Sequence, residues 1–364
     1  MSELPAIRWG IIATGMISSW FVEDLLISRP DAKVKHIVQA IGSSSTEKGK
    51  DFAKKFCPSS SPSIYGSYGE VYGDSDVDIV YIGTPHAFHK QNCLDAIKAG
   101  KPILCEKAFT LNARDAREVF AFAKEKQVYV AEAMWLRHRP LVQDLQRLLH
   151  KEKIIGDVFR VYSEFGLEMD IPNLPDDSRY KQPYLGAGSL LDLGIYTLTW
   201  AILGLDPGTP ANSEMPKIFA AQTHYGDVEV TSSVILQYPS TGRQGVVTST
   251  TMATGNPDVL ARIQGTNGTI EVQGTVPSDP EAFTVYPKFW RDQNKGIVGR
   301  DSGKKYDYKP IGRGYYWEAD NAALDVLAGR LESSVMPWSE TIRVMEIMDE
   351  IRRQGGTVYP QDTA

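Results

Sequence analysis

The strongest constraint on this chain lies in its first third. The stretch Asp78-Ile-Val-Tyr-Ile-Gly-Thr-Pro-His-Ala-Phe-His89 is followed by Lys101-Pro-Ile-Leu-Cys-Glu-Lys107. The apolar runs Ile79–Ile82 and Ile103–Cys105 each stop abruptly at polar residues. Such runs, bounded by turn signals, read as fully buried parallel strands. Between them Ala87–Ala99 reads as a helix, with Pro85 where a first helical residue tolerates proline and Gly100 where a left-handed C-terminal residue is wanted. The second strand therefore delivers Glu106 and Lys107 to the carboxyl edge of a parallel sheet, where open α/β sheets bind ligands. A lysine there is a candidate for acid–base work, because burial and nearby cations lower its pKa. A strand-end lysine pointing into water is the competing reading.

The N-terminus supplies a second βαβ signal. Ile7-Arg-Trp-Gly-Ile-Ile-Ala-Thr-Gly-Met-Ile-Ser-Ser19 is a strand, a glycine turn and a helix start. Gly15 lets backbone approach a pyrophosphate, and the helix N-terminus attracts that anion. The glycine pattern is degenerate, with Ala13, Gly15 and Ser18 where G-x-G-x-x-G expects three glycines. The next strand, Val34–Ile41, runs into Gly42-Ser-Ser-Ser-Thr-Glu-Lys48. A site that prefers NAD usually places Asp or Glu there to grip the ribose 2′-hydroxyl. Ser43, Ser44 and Lys48 instead offer donors and a cation, which suit the 2′-phosphate of NADP. The same loop also serves as a cap for a helix Thr46–Phe56.

These motifs, with Glu132-Ala-Met-Trp-Leu-Arg137 and Gly186-Ala-Gly-Ser-Leu-Leu-Asp-Leu-Gly-Ile-Tyr196, resemble the Gfo/Idh/MocA oxidoreductase family. The resemblance runs from the N-terminus to Gly355-Gly-Thr-Val-Tyr-Pro360 and is nearest the branch of dimeric dihydrodiol dehydrogenases and NADP-dependent D-xylose 1-dehydrogenases. Departures are Ala108 where the family commonly has proline, His86 where it has Asn, and His138 where the branch has an aromatic ring. The resemblance implies that Thr14, Gly15, Met16, Ile17, Thr84, Pro85, His86, Glu106 and Lys107 line the cofactor beside Ser43, Ser44 and Lys48.

Asp192 and Tyr196 are four apart in an otherwise apolar helix, Ser189–Leu203, so they share a face. Spacing alone leaves them either a reactive pair or an ordinary surface pair. The resemblance implies that Lys107, Asp192 and Tyr196 form the reactive trio, with Asp192 holding Lys107 and with Tyr196 or Lys107 moving the proton. Trp135 and Arg137 follow the strand Val128–Ala133 and are expected to face the crevice, the indole as a wall for a sugar ring or flat diol. Arg179, in the loop before the active helix, is expected to reach substrate hydroxyls. His86 and His89 have the spacing of a metal pair, but no further ligands complete a shell, so no metal is expected. His36, His150 and His224 are expected to have no role.

The implied activity is hydride transfer from a sugar carbinol, D-xylose at C1 first. A dihydrodiol dehydrogenase or dicarbonyl reductase is the alternative, and a non-catalytic dinucleotide-binding transcriptional regulator is the reading from another class. The net charge of -6, with no basic cluster, leaves nucleic-acid binding without an electrostatic footprint. Met1-Ser-Glu-Leu-Pro5 lacks the plan of a signal peptide, no apolar run approaches a membrane span, and the cysteines Cys57, Cys93 and Cys105 read as reduced packing residues; a cytoplasmic enzyme is expected.

The fold class expected is an α/β Rossmann-type doubly wound parallel sheet over residues 1–135. It is followed over 136–364 by an α+β domain with a large, mostly antiparallel, open-faced sheet. Strands are expected at Asp157–Phe165, Lys217–Tyr225, Val228–Tyr238, Arg243–Met252, Leu260–Gln264 and Thr269–Val272, with an Asn267-Gly268 hairpin. Ser302–Gly314 reads as a surface loop, and helices Tyr315–Ala328 and Ser339–Arg353 close the chain, the second free to pack back near the first domain. The antiparallel half has too few helices to cover its sheet, and the resemblance implies that the open face makes a homodimer.

Overall fold

The computed structural model describes residues 4–206, 213–288, 290–292, 296–299 and 302–363, so the first three residues of the expected leaderless start lie outside it. The chain forms two compact units, Met1–Arg139 with Pro310–Ile342, and Pro140–Lys309 with Arg343–Ala364.

The first unit begins with β1 (Ala6–Ile12), α1 (Met16–Leu25), β2 (Lys35–Gly42), α2 (Thr46–Phe56), β3 (Ser63–Tyr65) and α3 (Tyr68–Gly73). It continues with β4 (Ile79–Ile82), α4 (His86–Lys98), β5 (Ile103–Glu106), α5 (Ala113–Lys126) and β6 (Val130–Ala133). The strands pair in the order β3-β2-β1-β4-β5-β6, all parallel. Every residue of β4, β5 and β6 is buried, which explains their unbroken apolar runs. Phe21 of α1 stacks on Tyr81 of β4 with ring centroids 3.9 Å apart, fixing the first helix against the sheet.

The degenerate glycine turn has a structural answer. Ala13 adopts φ 72°, a left-handed conformation that favours glycine, and its N–H donates to Gly42 O at 3.0 Å. At the third glycine's place Ser18 is buried, and the room for it comes from the facing strand end. A Cβ on Gly83 would stand 2.3 Å from Ser18 Oγ. The close helix–strand approach is thus kept, with the glycine moved to the partner.

The second unit contains α6 (Pro140–Gln146), β7 (Val158–Gly166), α7 (Ile195–Leu205), β8 (Lys217–Tyr225), β9 (Val228–Gln237), β10 (Gln244–Thr250) and β11 (Ala261–Gly265). After these come β12 (Gly268–Val276), β13 (Asp279–Pro287), the short pair β14 (Trp290–Asp292) and β15 (Gly296–Gly299), and β16 (Lys304–Asp307). Eight strands pair in the order β16-β13-β12-β11-β7-β10-β9-β8. The sheet is antiparallel except where β7 runs parallel to β10. Within this eight-stranded sheet β13 and β16 were not expected from sequence, and neither was the separate β14–β15 pair. β13 is bracketed by prolines, and β16 lies inside the expected Ser302–Gly314 loop. β16 is an edge strand of largely polar residues, and it is held by Tyr306 stacking on Phe283 at 4.8 Å.

The segment Pro183–Leu205 does reach the length and mean hydropathy of a membrane span, contrary to the sequence reading, but its most apolar stretch is buried inside the protein. Its apolar character answers to packing on the sheet. Gly245 of β10 lets Ala201 approach, and Trp200 Nε1 donates to Pro277 O at 2.9 Å.

The expected uninterrupted second domain is corrected by the return of Pro310–Ile342 to the first unit, carrying α8 (Tyr316–Leu327) and the start of α9 (Trp338–Gly355). Buried polar pairs, invisible to hydropathy, explain the return. Asp24 of α1 accepts the N–H groups of Arg313, Gly314 and Tyr315. Asp320 of α8 binds Arg29 at 2.5 Å and His36 at 2.9 Å, so His36 does have a role. Glu132 of β6 accepts from Thr341 Oγ1 at 2.8 Å and Phe109 N at 3.2 Å. Burial pushes Glu132 up from 4.5 to about 7. The native state therefore holds this proton where the unfolded chain has released it. Stability from this group is present below about 4.5 and is lost as pH rises to about 7, a change on the order of 3 kcal/mol. Glu132→Gln should remove that slope: the wild type's melting temperature, measured relative to the variant's, should fall between about pH 5 and about pH 8. A constant difference across that range would contradict the assignment.

Candidate active site

The carboxyl ends of β1 and β2 form the first wall of the candidate site. A cavity of about 530 Å³ is lined there by residues including Thr14, Gly15, Ser43, Ser44, Lys48 and Tyr68. Gly15 caps α1 with extended backbone, and a Cβ there would meet no atom of the chain. Only an approaching ligand would feel it, as a pyrophosphate turn requires. Met16, 58 % exposed, and Ile17 form the first turn of α1 behind it.

The serine loop divides its labour. Ser45 caps α2, accepting from Lys48 N at 3.3 Å. Ser43 is buried, with its hydroxyl 3.2 Å from Thr14 Oγ1, so it braces the glycine turn. Ser44 and Lys48 are exposed and joined, Nζ to Oγ, at 3.4 Å. Lys55, one face further along α2, lines the same cavity and was missed in sequence because it lies beyond the strand-end loop. Asp51 shares the cavity, but from the helix and not from the end of β2 where a ribose-gripping carboxylate belongs. Two lysines and an exposed hydroxyl against one carboxylate fit a phosphorylated ribose.

The second wall is the turn after β5. The Lys107–Ala108 peptide is cis, and histidines of α4 hold the carbonyls on both sides of it. His86 Nε2 lies 3.2 Å from Lys107 O. His89 Nδ1 lies 3.0 Å from Ala108 O, and its Nε2 lies 2.7 Å from Thr84 O. Burial pushes the His89 pKa down, with the carbonyls opposing. The i, i+3 histidines are thus backbone clamps for the lysine turn. Pro85 caps α4, and the Thr84 hydroxyl accepts from Asn92 at 2.9 Å.

Glu106 corrects its expected cofactor role. Its side chain turns inward, 5 % exposed, where Oε1 accepts from Tyr81 OH at 2.7 Å and Oε2 from Lys107 N at 3.3 Å. Burial raises it from 4.5 to about 7, against the opposing pull of Lys107.

Trp135 and Arg137 are also corrected. The Trp135 ring is 5 % exposed and stacks on Tyr315 at 4.3 Å, with Arg139 at 5.0 Å. Arg137 pairs with Glu340 at 2.5 Å, both buried. The indole ring and the Arg137 guanidinium thus pack on residues of the returning segment, which sequence spacing could not reveal.

In the second unit, Asp192 sits in a π-helical turn, Leu190–Gly194, that runs into α7. Such turns concentrate at functional sites. A buried carboxylate anchors its start: Glu229 accepts from Ser189 Oγ at 2.6 Å, Leu190 N at 2.9 Å and Ser232 Oγ at 2.7 Å. Gly188, at φ 147°, brings backbone within contact of Glu229 and Tyr359, which gives the Gly355–Pro360 motif its place. Asp192 faces Arg179, Oδ2 to Nη2 at 3.7 Å, so Arg179 meets the candidate carboxylate in the same unit. Tyr196 stands in the first turn of α7, is 6 % exposed and has its ring centroid 6.0 Å from that of Phe165. The structure therefore brings Asp192 and Arg179 together, while Lys107 belongs to the first unit.

Comparison with known proteins agrees with this architecture. Residues 7–134 match the Gfo/Idh/MocA oxidoreductase family, NAD-binding Rossmann fold, and residues 142–271 match a Gfo/Idh/MocA C-terminal domain. The chain is 34% identical to D-xylose 1-dehydrogenase (NADP(+)) of Hypocrea jecorina, covering 98% of this chain and 93% of that protein. It is 35% identical to trans-1,2-dihydrobenzene-1,2-diol dehydrogenase of Xenopus tropicalis, over 98% and 100%. The 3-ketoreductase KijD10 of Actinomadura kijaniata, solved with NADP and TDP-benzene, shares the fold with TM-score 0.76 and 23% identity, over 96% of this chain and 98% of that one. The chain belongs to the Gfo/Idh/MocA oxidoreductase family, with a nicotinamide-dinucleotide Rossmann domain followed by the family's C-terminal domain.

Proposed function

We propose that the protein is an NADP(H)-dependent dehydrogenase acting on a sugar carbinol, with D-xylose oxidised at C1 to the lactone as the first choice. The observation that carries the cofactor assignment is the Ser44–Lys48 pair at the end of β2, with Lys55 beside it and no carboxylate at the strand end. The D-xylose reading is supported by the likeness to the Hypocrea jecorina enzyme. The likeness to the Xenopus tropicalis enzyme favours a dihydrodiol as the second reading.

Bound NADP, held by the Gly15 turn with Ser44 and Lys48, would supply the hydride acceptor for the carbinol carbon. Tyr196 takes the proton of the reacting hydroxyl, and the Lys107 ammonium stabilises the charge that develops on that oxygen. Asp192 pairs with Arg179 at 3.7 Å within the second unit. The Lys107 turn is held by His86 and His89, so the ammonium is positioned by the rigid end of β5.

Lys48→Glu should weaken NADP binding by roughly tenfold or more while sparing NAD, since a charge-assisted bond contributes about 1.5–3 kcal/mol. Fluorescence titration of both cofactors measures this, and unchanged NADP affinity would remove the assignment. NADPH appearance should be fastest with D-xylose in a panel of aldoses and dihydrodiols. Lys107→Met should cut that turnover by on the order of 10²–10⁴ with NADP still bound. A fully active Lys107→Met enzyme would exclude this mechanism. A dihydrodiol preference would select the second reading, and tight NADP binding with no turnover would favour a regulator.

We also propose that the open face of the second unit's sheet pairs with a second copy. Phe219, Ile235, Val246 and Tyr162 stand side by side across β8, β9, β10 and β7. Phe219 and Ile235 are 54% and 41% exposed. A two-fold axis sets such a row against itself. Light scattering should give a dimer mass, and Ile235→Lys should reduce it to the monomer; a wild-type monomer at micromolar concentration would count against the proposal.

A further inference from the structure

A bulge in the second unit's sheet sets a carboxylate against the turn that carries Asp192. In β9, Val230, Ser232, Val234 and Leu236 are buried, and strict alternation would send Glu229 to the other face. The pairing with β8 slips instead: Thr231 faces Thr223, and Glu229 faces the next residue, His224. Val230 is thus an extra residue on β9, and a bulge of this kind re-aims the side chain beside it. Glu229, 1% exposed, joins Ser232 on the side where Ser189 and Ser249 meet, their hydroxyls 3.0 Å apart.

The carboxylate grips the two residues after Gly188. Oε1 accepts from Ser189 Oγ at 2.6 Å and Ser232 Oγ at 2.7 Å, and Oε2 accepts from Leu190 N at 2.9 Å. Gly188 itself, at φ 147°, has no room for a side chain, since a Cβ would stand 2.9 Å from Oε2. The C-terminal motif backs the residue before it. The Tyr359 hydroxyl lies 3.5 Å from Ala187 O, and Arg352 of α9 covers the Tyr359 ring at 4.7 Å. Asp362 binds both the Arg352 guanidinium at 2.6 Å and the Tyr359 N–H at 2.8 Å. We propose that Glu229 is a positioning residue for the reaction: by fixing Ser189 and Leu190 it sets the register of the π-helical turn, and with it the placement of Asp192 and Tyr196. The proposal rests on those two residues being reactive. A π turn carries one residue more than the α-helical turn it replaces, so its relaxation would rotate Asp192 relative to Tyr196 by a fraction of a turn.

In the full-length protein, Glu229→Ala should cut kcat by on the order of 10², the cost of misplacing reacting groups by about an ångström. Turnover is counted per NADP-binding site, which removes any misfolded fraction, and NADP affinity should stay within about twofold because the cofactor edge is untouched. With the best substrate deuterated at the oxidised carbon, the isotope effect on kcat should rise in Glu229→Ala, as hydride transfer becomes the slow step. Glu229→Gln should rescue. Its carbonyl accepts from Leu190 N, and its amide donates to serine hydroxyls that can also accept, so kcat should stay within about threefold of wild type. Hydrogen exchange at residues 189–196 tests the grip without substrate: it should quicken in Glu229→Ala and match wild type in Glu229→Gln. Equal losses in the Ala and Gln variants, or a wild-type kcat in Glu229→Ala where Tyr196→Phe is impaired, would overturn the proposal. If Glu229→Ala does not fold, Ser189→Ala decides: a loss of about tenfold supports the grip, and none removes it. Full turnover in both Tyr196→Phe and Asp192→Asn would instead sink the mechanism, and the exchange result alone then decides whether Glu229 holds the turn.

Discussion

Everything reactive in the first unit depends on one constraint, the burial of a parallel sheet on both faces. β4, β5 and β6 have no exposed residue, so polar chemistry is confined to where the strands stop. Ala13, Ser43, Thr84 and Lys107 all stand just past a strand's carboxyl end. The turn after β5 is made rigid there by imidazoles that bind its carbonyls, with α4 supplying both. A lysine on a free loop would sample many poses; one on a clamped turn loses little further entropy on meeting a substrate.

A second theme is the use of buried carboxylates as joints. Asp24 collects three amides at the start of α8, Glu132 ties α9 to β6, and Glu229 caps the π turn that carries Asp192. Each sits among donors that offset part of its desolvation, and burial still raises all three above the ordinary carboxyl range. Glu318 departs from this pattern, since neither of its buried carboxyl oxygens has a hydrogen-bond partner.

Most secondary elements were legible from residue pattern. β8 and α2 match their expected ranges, because alternation and a serine cap are strong local signals. β13 and β16 were not legible. An edge strand has a neighbour on one side only, so it can be polar and short and still pair. The site shows the same split. Gly15 and Lys48, which line the cavity at the ends of β1 and β2, were visible as residue types at telling positions. The inward turn of Glu106, the burial of Trp135 and the pairing of Arg137 with Glu340 were not, since each depends on a partner remote in sequence or on which way a side chain leaves the strand end.

The chain's own pattern of period and punctuation was enough to establish a doubly wound parallel sheet, a glycine-turn cofactor edge without an acidic ribose grip, and an antiparallel second half. These follow from local rules of strand burial, capping and turn chemistry. The return of Pro310–Ile342 to the first unit, the division of labour among Ser43, Ser44 and Ser45, and the carboxyl group left without a partner at Glu318 arose only in three dimensions. The reason is physical: a buried ion pair or hydrogen bond is specified by two residues whose separation along the chain is arbitrary, and no periodicity in the sequence records it.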